Sequence, residues 1–502
     1  PLAMSIPGDG FNRLPGELVC KIFQLVMEAG NSEIDRPRLG LVCHQWRNFI
    51  ENSASLWTRI LTLRGRTQFH RALENSRGAM IDLTYWGGMS LKEFLDEAGP
   101  HIARWRSLTA TVNRDKEWEW APLTKLQPPR LENLFLTMNQ SGPWVALPEN
   151  AITLFGGAPA PSTLKGLALD WFPLAVEPLR PSGLVLLSLR QVATISTLQL
   201  LEILRRSPGL EMLRLESNPK LEAIGPQASN IQPIELPKLV SLGFQHMKDD
   251  GTYCILSNIR IPNPRRSLRI AEPIRGVSPG PSFLTPAIAH LLHTAPIPPT
   301  DLPFSVINVE IFLADTCIIK FRGMELHVHV DGEDQVQDIF SWLVNGLGSE
   351  AAECPVDLIL IDSDMDPIRI IAAMGPLIIK HLAVADAFVH GWVRPMREDL
   401  YRAMARSPDP TSPGWLLPRL ESLSVTFLAV ESQEPLISML RDRYQGASLQ
   451  GETESTRPMS LRSVELRGTP RTEGLAEEIK GILGEANVGW VNEYNGRPEW
   501  IG

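Results

Sequence analysis

One short apolar phrase recurs through most of this chain. It consists of an apolar residue, two residues of any kind, a second apolar residue, one further residue and a third apolar residue. Clear copies begin at Leu131, Leu164, Leu184, Leu210, Leu239, Leu420 and Leu461, and weaker ones at Met80, Trp105 and Ile379. The last two apolar positions are two residues apart, so they lie on the same face of a short β-strand. The chain therefore has to place many similar strands in similar surroundings.

The spacing of the copies indicates a repeat architecture. The copies from position 80 to position 239 start 25, 26, 33, 20, 26 and 29 residues apart, and these intervals scatter around the length of a leucine-rich repeat. Stacking such strands in parallel buries a continuous apolar seam, and the intervening segments form an outer wall. The Asn typical of the ninth repeat position occurs only at Asn139 and Asn218, so the repeats are degenerate.

From this pattern we predict an α/β fold in which residues 63–502 form an irregular leucine-rich-repeat solenoid. An irregular α/β domain without a solenoid is the alternative. Residues 259–303 are rich in proline and are predicted to be an insertion, and residues 445–460 are polar and are predicted to be a mobile loop. Residues 1–10 are predicted to be disordered or a fragment edge.

The segment before residue 63 has a different pattern. Pro15 suits the first position of a helix, and an apolar stripe follows at helical spacing. A second helix is predicted from Asp35 as its N-cap. The two stripes consist of Leu18, Ile22, Leu25 and Val26, and of Leu39, Val42, Cys43, Trp46 and Ile50. Two short amphipathic helices form too small a core to be stable alone, so this segment must pack against other structure.

Three runs in this segment resemble a known family. The first run begins at Leu14 and reads Leu-Pro-x-Glu-Leu-x-x-x-Ile-Phe. The second begins at Leu39 and reads Leu-x-x-Val-Cys-x-x-Trp-Arg, and the third is Leu56-Trp57. In order and spacing they resemble an F-box, especially the F-box-like form common in mushroom-forming fungi. The resemblance covers residues 11–62, with a longer and more polar connection over residues 28–36 than the usual pattern has.

The resemblance implies a function. An F-box binds the Skp-family adaptor of a cullin–RING ubiquitin ligase, and through it a cullin, while the rest of the chain holds the protein to be ubiquitinated. The positions that match the family's motif are then implied to form the adaptor-binding module, some inside it and others facing the adaptor. They are Leu14, Pro15, Leu18, Ile22, Phe23, Val42, Cys43, Trp46, Leu56 and Trp57.

The solenoid prediction also gives a surface for the target. Residues between the buried positions of each phrase face the concave side, where they are mixed in charge and contain few aromatic side chains. Such a face suits a polypeptide ligand better than a polyanion. Because aromatic and arginine side chains are enriched at interfaces, Phe135 and Arg214 are the leading candidates. The predicted target-binding residues are Phe135, Arg190, Met212, Arg214 and Glu216.

Composition argues against several other partners. The net charge of −9 gives no basic excess for neutralising phosphates, so we expect no nucleic-acid ligand. No apolar stretch reaches about 20 residues, so we expect no membrane span. The five cysteines form no CxxC pair, which is typical of a reducing compartment. We therefore expect the protein in the cytoplasm, the nucleus or both.

No motif in the sequence predicts catalysis or metal binding. There is no GxSxG, Walker loop or HExxH pattern. Residues 362–366 resemble the start of a calcium loop, but Pro367 and Ala373 occupy the places of its Gly and Glu. His327 and His329 share a strand face without a third ligand nearby. We predict a protein that is not an enzyme, with no catalytic residue, no metal and no cofactor.

Three hypotheses of function follow. The first is the substrate receptor of a Skp–cullin–F-box ligase. The second is a leucine-rich-repeat scaffold that binds a partner outside any ubiquitin ligase. The third is an enzyme, such as a hydrolase, on an irregular α/β core.

Overall fold

A computed structural model gives the fold of the chain. It describes residues 14–261 and 307–491, apart from short breaks and the segments 140–152, 223–231, 342–354, 386–396, 406–415 and 446–457. Residues 1–10, residues 362–365 of the calcium-like segment, and most of the predicted insertion and mobile loop lie outside the described residues. The chain divides into two compact units, one of residues 1–239 and 250–260, the other of residues 240–249 and 261–502.

The N-terminal half opens with helices and continues with alternating strands and helices. The opening helices are Gly16–Ala29 (α1), Ser32–Gly40 (α2) and His44–Asn52 (α3), followed by a 3₁₀ turn at Ala54–Trp57. The next elements are Arg59–Leu61 (β1), Arg66–Asn75 (α4), Ile81–Tyr85 (β2), Leu91–Ala98 (α5), Trp105–Asn113 (β3), Glu117–Thr124 (α6), Asn133–Asn139 (β4), Gly166–Asp170 (β5), Leu186–Arg190 (β6) and Thr197–Arg205 (α7). After these come Met212–Glu216 (β7), Ile234–Glu235 (β8), Ser241–Gln245 (β9), Asp249–Ser257 (α8) and Ile259–Arg260 (β10).

Strands β1 to β7 lie side by side in chain order and are all parallel. The second apolar positions of the phrases stack directly on one another, and so do the third. The two stacks in β3 to β7 are Leu108, Leu134, Leu167, Leu187 and Leu213, and Ala110, Leu136, Leu169, Leu189 and Leu215. All ten side chains are buried. Burying a leucine side chain stabilises a fold by about 1.5–3 kcal/mol, so these stacks form a large part of the core of the first unit.

The two asparagines at the ninth repeat position have different surroundings. Asn218 is buried and joins two neighbouring turns of the chain. Its Oδ1 accepts a hydrogen bond from the backbone N–H of Val192, and its Nδ2 donates one to the carbonyl oxygen of Leu189, both at 2.8 Å. Asn139 is exposed at the end of β4. The shared sequence position therefore does not give the two side chains a shared role.

We predict that Asn218→Ala destabilises the protein by about 1–3 kcal/mol, because it leaves a buried backbone N–H and a buried carbonyl without their partner. The matched control is Asn139→Ala, which should change stability by no more than about 0.5 kcal/mol because this side chain is exposed. Urea unfolding of both variants measures the difference. Equal losses in the two variants would contradict a bridging role for Asn218.

The C-terminal half contains a second sheet, whose first three strands are antiparallel. Its elements are Ile307–Phe312 (β11), Thr316–Phe321 (β12), Met324–His329 (β13), Pro355–Ile361 (β14), Pro367–Ala373 (α9), Ile378–Ala385 (β15), Arg397–Ala405 (α10), Ser422–Thr426 (β16), Gln433–Tyr444 (α11), Ser463–Arg467 (β17), Leu475–Leu483 (α12) and Asn487–Val491 (β18). The strand order is β13-β12-β11-β14-β15-β16-β17-β18. Strands β11 to β13 pair antiparallel, whereas β11 and β14 to β18 are parallel. The repeat phrase did not predict the antiparallel pairs.

The prediction of one long second helix near the N-terminus is wrong. Helix α2 ends at Gly40 and α3 begins at His44, and the backbone of Cys43 between them is extended. Cys43 caps α3, since its Sγ accepts a hydrogen bond from the backbone N–H of Trp46 at 3.5 Å. The apolar spacing is helical on both sides of the turn, so periodicity could not reveal the break. Helix α2 also occupies much of the polar connection over residues 28–36.

Two short strands lie close to predicted boundaries. Strand β1 lies inside the N-terminal segment of residues 11–62, yet it pairs in parallel with β2 of the sheet. The helices therefore lead into the sheet without a linker. Strand β10 occupies the first two residues of the predicted proline-rich insertion, since Ile259 and Arg260 pair with Ile234 and Glu235 of β8.

Candidate functional site

Helix α1 divides its apolar side chains between two faces. One face is buried and consists of Val19, Phe23 and Met27, which recur every fourth residue. Other apolar side chains remain exposed on α1, just before it and in the turn between α2 and α3. This exposed apolar set is Leu14, Leu18, Ile22, Leu25, Val26, Leu41 and Val42. Scattered apolar side chains are ordinary on a protein surface, but several on so short a segment indicate a surface that binds a partner.

The buried face of α1 packs against the aromatic side chains of α3. The ring centroid of Phe23 lies 4.9 Å from that of Trp46 and 5.8 Å from that of Phe49. Phe23 is fully buried, and aromatic pairs at these distances add roughly 0.5–1.5 kcal/mol to the burial of the rings. This core holds α1 in one orientation, which keeps its outer face turned away from the interior.

Trp57 and Arg36 join the helices to the sheet. The Trp57 side chain is buried, and its Nε1 donates a hydrogen bond to the carbonyl oxygen of Ile50 at 2.8 Å. The guanidinium of Arg36 lies 4.3 Å from the Trp57 ring. It also donates hydrogen bonds to the carbonyl oxygens of Leu56 at 3.0 Å and Arg59, in β1, at 3.3 Å. Helices α2 and α3, the 3₁₀ turn and β1 are thus held together by a buried cation–aromatic contact and its hydrogen bonds.

The structure sorts the predicted adaptor-binding residues by exposure. The buried residues are Phe23, Leu56 and Trp57, and Trp46 is half-buried. The exposed residues are Leu14, Pro15, Leu18, Ile22, Val42 and Cys43. The three buried side chains support the module from inside and present little surface to a second protein. Sequence reasoning missed Leu41, which is exposed in the turn that periodicity did not reveal.

A second candidate surface lies on the strand face opposite the apolar stacks. Phe135, Ala168, Ser188 and Arg214 occupy the same register position on the consecutive strands β4 to β7. Phe135 is half-buried, and Ala168 and Ser188 between it and Arg214 are small. This row therefore forms a shallow floor with a ring at one end and a guanidinium at the other. Met212 is exposed near the start of β7.

The neighbouring register position carries a group of charges. Asp170, Arg190 and Glu216 pair in sequence across β5, β6 and β7. Glu216 accepts from Arg190 Nε at 2.7 Å and from Arg214 Nη2 at 3.3 Å. The side chains of Arg190 and Arg214 are 47% and 58% exposed, whereas that of Glu216 is only 5% exposed. Glu216, predicted as a contact residue, therefore lies beneath the two arginines and orients them.

Asp170 completes this group from the other side. Its Oδ2 lies 3.5 Å from Arg190 Nη1, a long contact for an ion pair, and its Oδ1 is buried without a hydrogen-bond partner. Burial raises the pKa of Asp170, and the nearby Arg190 only partly opposes this effect. The carboxylate therefore costs free energy when it is ionised in the folded protein.

This raised pKa predicts a pH-dependent contribution to stability. Between the unfolded and folded pKa values, folded Asp170 binds more protons than the unfolded chain, so its contribution falls as pH rises through that interval. We expect Asp170→Asn to remove this slope, which will appear as a wild-type-minus-variant stability difference that declines with rising pH. Urea unfolding at several pH values above about 4 measures it. A difference that rises with pH would contradict the assignment.

Two further observations on the described residues concern metal and thiol chemistry. Its His, Cys, Asp and Glu side chains form no group of three able to hold a metal ion. Burial raises the pKa of the Cys317 thiol to about 12, the opposite of what a nucleophilic cysteine needs. Of the helices described, none has the length and apolarity to cross a membrane.

Comparison with known families bears on the N-terminal helices. A family model described as F-box-like matches residues 11–62, the segment that holds α1 to α3, the 3₁₀ turn and β1. The match confirms the resemblance seen in the sequence and covers about a tenth of the chain. No curated protein sequence matches the chain.

Proposed function

Because residues 11–62 form an F-box-like domain, we propose that this protein is the substrate-receptor subunit of a Skp–cullin–F-box ubiquitin ligase. The exposed apolar set on and around α1 is the observation that carries the proposal. F-box domains typically bind a Skp-family adaptor, and an adaptor that covers these side chains would remove them from water. Through the adaptor the chain would reach a cullin.

The proposed adaptor contact is apolar and preformed. Its α1 side chains project from one face of the helix. The opposite face is held in place by Phe23 and its aromatic neighbours. A rigid face loses little conformational entropy on binding. Exposed aliphatic anchors at such interfaces contribute about 2–4 kcal/mol each when they fill pockets of the partner.

We propose that the remaining chain is a degenerate leucine-rich-repeat domain that holds the target protein. Two observations support this. The apolar stacks join strands in chain order, and Asn218, at the ninth position of its repeat, bonds backbone groups of the preceding repeat. The proposed target surface consists of Phe135, Arg190, Met212 and Arg214, with Glu216 supporting the two arginines.

In this role the chain carries out no bond chemistry. It holds a lysine of the target close to the ubiquitin-charged enzyme and so raises their effective concentration. The work would take place in the cytoplasm, the nucleus or both, where ubiquitin ligases of this class act.

The test is direct binding between the full chain and a recombinant Skp-family adaptor, measured by size-exclusion chromatography with light scattering. We expect a complex of one copy of each protein. A chain that is folded by circular dichroism but forms no complex with the adaptor would overturn the proposal. That outcome would favour a repeat scaffold acting outside a ubiquitin ligase.

A further inference from the structure

We propose that the target segment bound by this protein carries an acidic side chain, whose carboxylate is received by Arg190 and Arg214. The inference rests on the proposed function, because it names the chemistry of the target held by the repeat domain. It is carried by the arrangement of charges on β5 to β7 and by the small residues of the floor beside them.

The charges are arranged in two layers. The arginine side chains are about half exposed, while their partners Glu216 and Asp170 are 5% and 24% exposed. An approaching partner therefore meets guanidinium groups first and finds the carboxylates beneath them. Arginine presents its N–H donors in a planar fork that matches a carboxylate, so an acidic side chain fits this surface and a basic one does not.

Glu216 fixes the arginines before any partner arrives. Its short contact with Arg190 Nε, 2.7 Å, holds that guanidinium at one edge, and its contact with Arg214 Nη2 positions the second. Long side chains that are already ordered lose less entropy on binding. Glu216 is thus a positioning residue, and the arginines make the contact.

The floor beside the arginines defines how the segment lies. Ala168 and Ser188 separate Phe135 from Arg214 by three strand intervals, which is roughly 14 Å at the usual strand spacing. About four residues of extended polypeptide span that length. We infer that the segment crosses the strands with its acidic residue over Arg190 and Arg214 and an apolar residue against Phe135.

The preference for an acidic segment has to come from short-range contacts. The whole chain carries a net charge of −9, which does not attract an acidic partner from a distance. Exposed charges farther apart than about 8 Å are largely screened at physiological salt, so the local arginines decide the contact. Binding should therefore be measured at physiological ionic strength.

The probe is a pair of immobilised random octapeptide pools that differ only at one central residue, Glu in one pool and Gln in the other. We expect the full wild-type chain to bind the Glu pool about tenfold better, the effect of one charge-assisted hydrogen bond pair. Arg214→Gln and Arg190→Gln should remove this preference, and Arg214→Lys should keep part of it. Arg205→Gln is the matched control, because Arg205 is 47% exposed on α7 and pairs with Glu202.

The outcomes separate this inference from the proposed function. The same preparations are tested for adaptor binding, which none of these substitutions should change. The acidic-segment proposal is overturned if the chain binds the adaptor but retains the Glu and Gln pools equally, or retains neither. The receptor role is unaffected by that result. A preference that survives Arg214→Gln in a folded protein would also overturn it. Loss of adaptor binding in the wild-type chain would instead refute the proposed function.

Discussion

Replacing Leu18 and Ile22 together with Ala will abolish the complex with the Skp-family adaptor while the chain stays folded. Both side chains are exposed on the outer face of α1, one helical turn apart. Truncating each removes an apolar anchor worth about 2 kcal/mol or more, so the two together weaken binding by roughly a thousandfold or more. Co-purification and titration calorimetry with the recombinant adaptor measure this loss.

A matched control keeps this result specific. Leu198 on α7 is 51% exposed, as is Leu18 on α1. Leu198→Ala removes the same side chain from another helix and should leave adaptor binding unchanged. Alanine favours helix slightly more than leucine or isoleucine, so none of these substitutions should unfold its helix. Retained binding by the folded Leu18→Ala/Ile22→Ala variant would show that the adaptor uses another surface.

The second large effect is on stability. We expect Trp57→Ala to destabilise the protein by about 3–5 kcal/mol, the usual result of truncating a buried aromatic side chain. The ring fills space beneath Arg36 and Arg71, whose guanidinium carbons lie 4.3 and 5.7 Å from its centroid. Its removal also ends the hydrogen bond to Ile50. Chemical unfolding followed by far-ultraviolet circular dichroism measures the change.

Trp86→Ala provides the control for this variant. Trp86 is 57% exposed after β2, whereas Trp57 is 5% exposed, so its truncation should change stability by no more than about 0.5 kcal/mol. Because Trp57 and Arg36 join the helices to β1, Trp57→Ala should also raise protease sensitivity on both sides of residue 57. Cleavage confined to residues 14–57 would show that the helices unfold without the sheet.

The sequence predicted the strands of the first unit well. In β3 to β7 the second and third apolar residues of each phrase are buried on one face of the sheet, as the two-residue spacing requires. These features follow from local periodicity, which a single sequence carries in full. The F-box resemblance is equally local, since it depends on residue order within about 50 positions.

The break between α2 and α3 shows where local periodicity stops being sufficient. Leu39, Val42, Cys43 and Trp46 are spaced as one helical stripe, yet the backbone leaves the helix after Gly40. The N–H of Leu41 still bonds back to the carbonyls of Pro37 and Arg38, and Cys43 then starts a new helix as its cap. The apolar pattern is satisfied by either path, and packing against α1 selects the broken one.

By itself the sequence determined which residues are apolar and at what spacing, and hence which residues of β3 to β7 are buried in the sheet. Only the tertiary structure decided which side of α1 stays exposed, because that depends on where Phe23 finds its aromatic partners. It also decided that Glu216 lies beneath Arg190 and Arg214. These residues come from two strands, and only the parallel register of β6 and β7 brings them within hydrogen-bond distance.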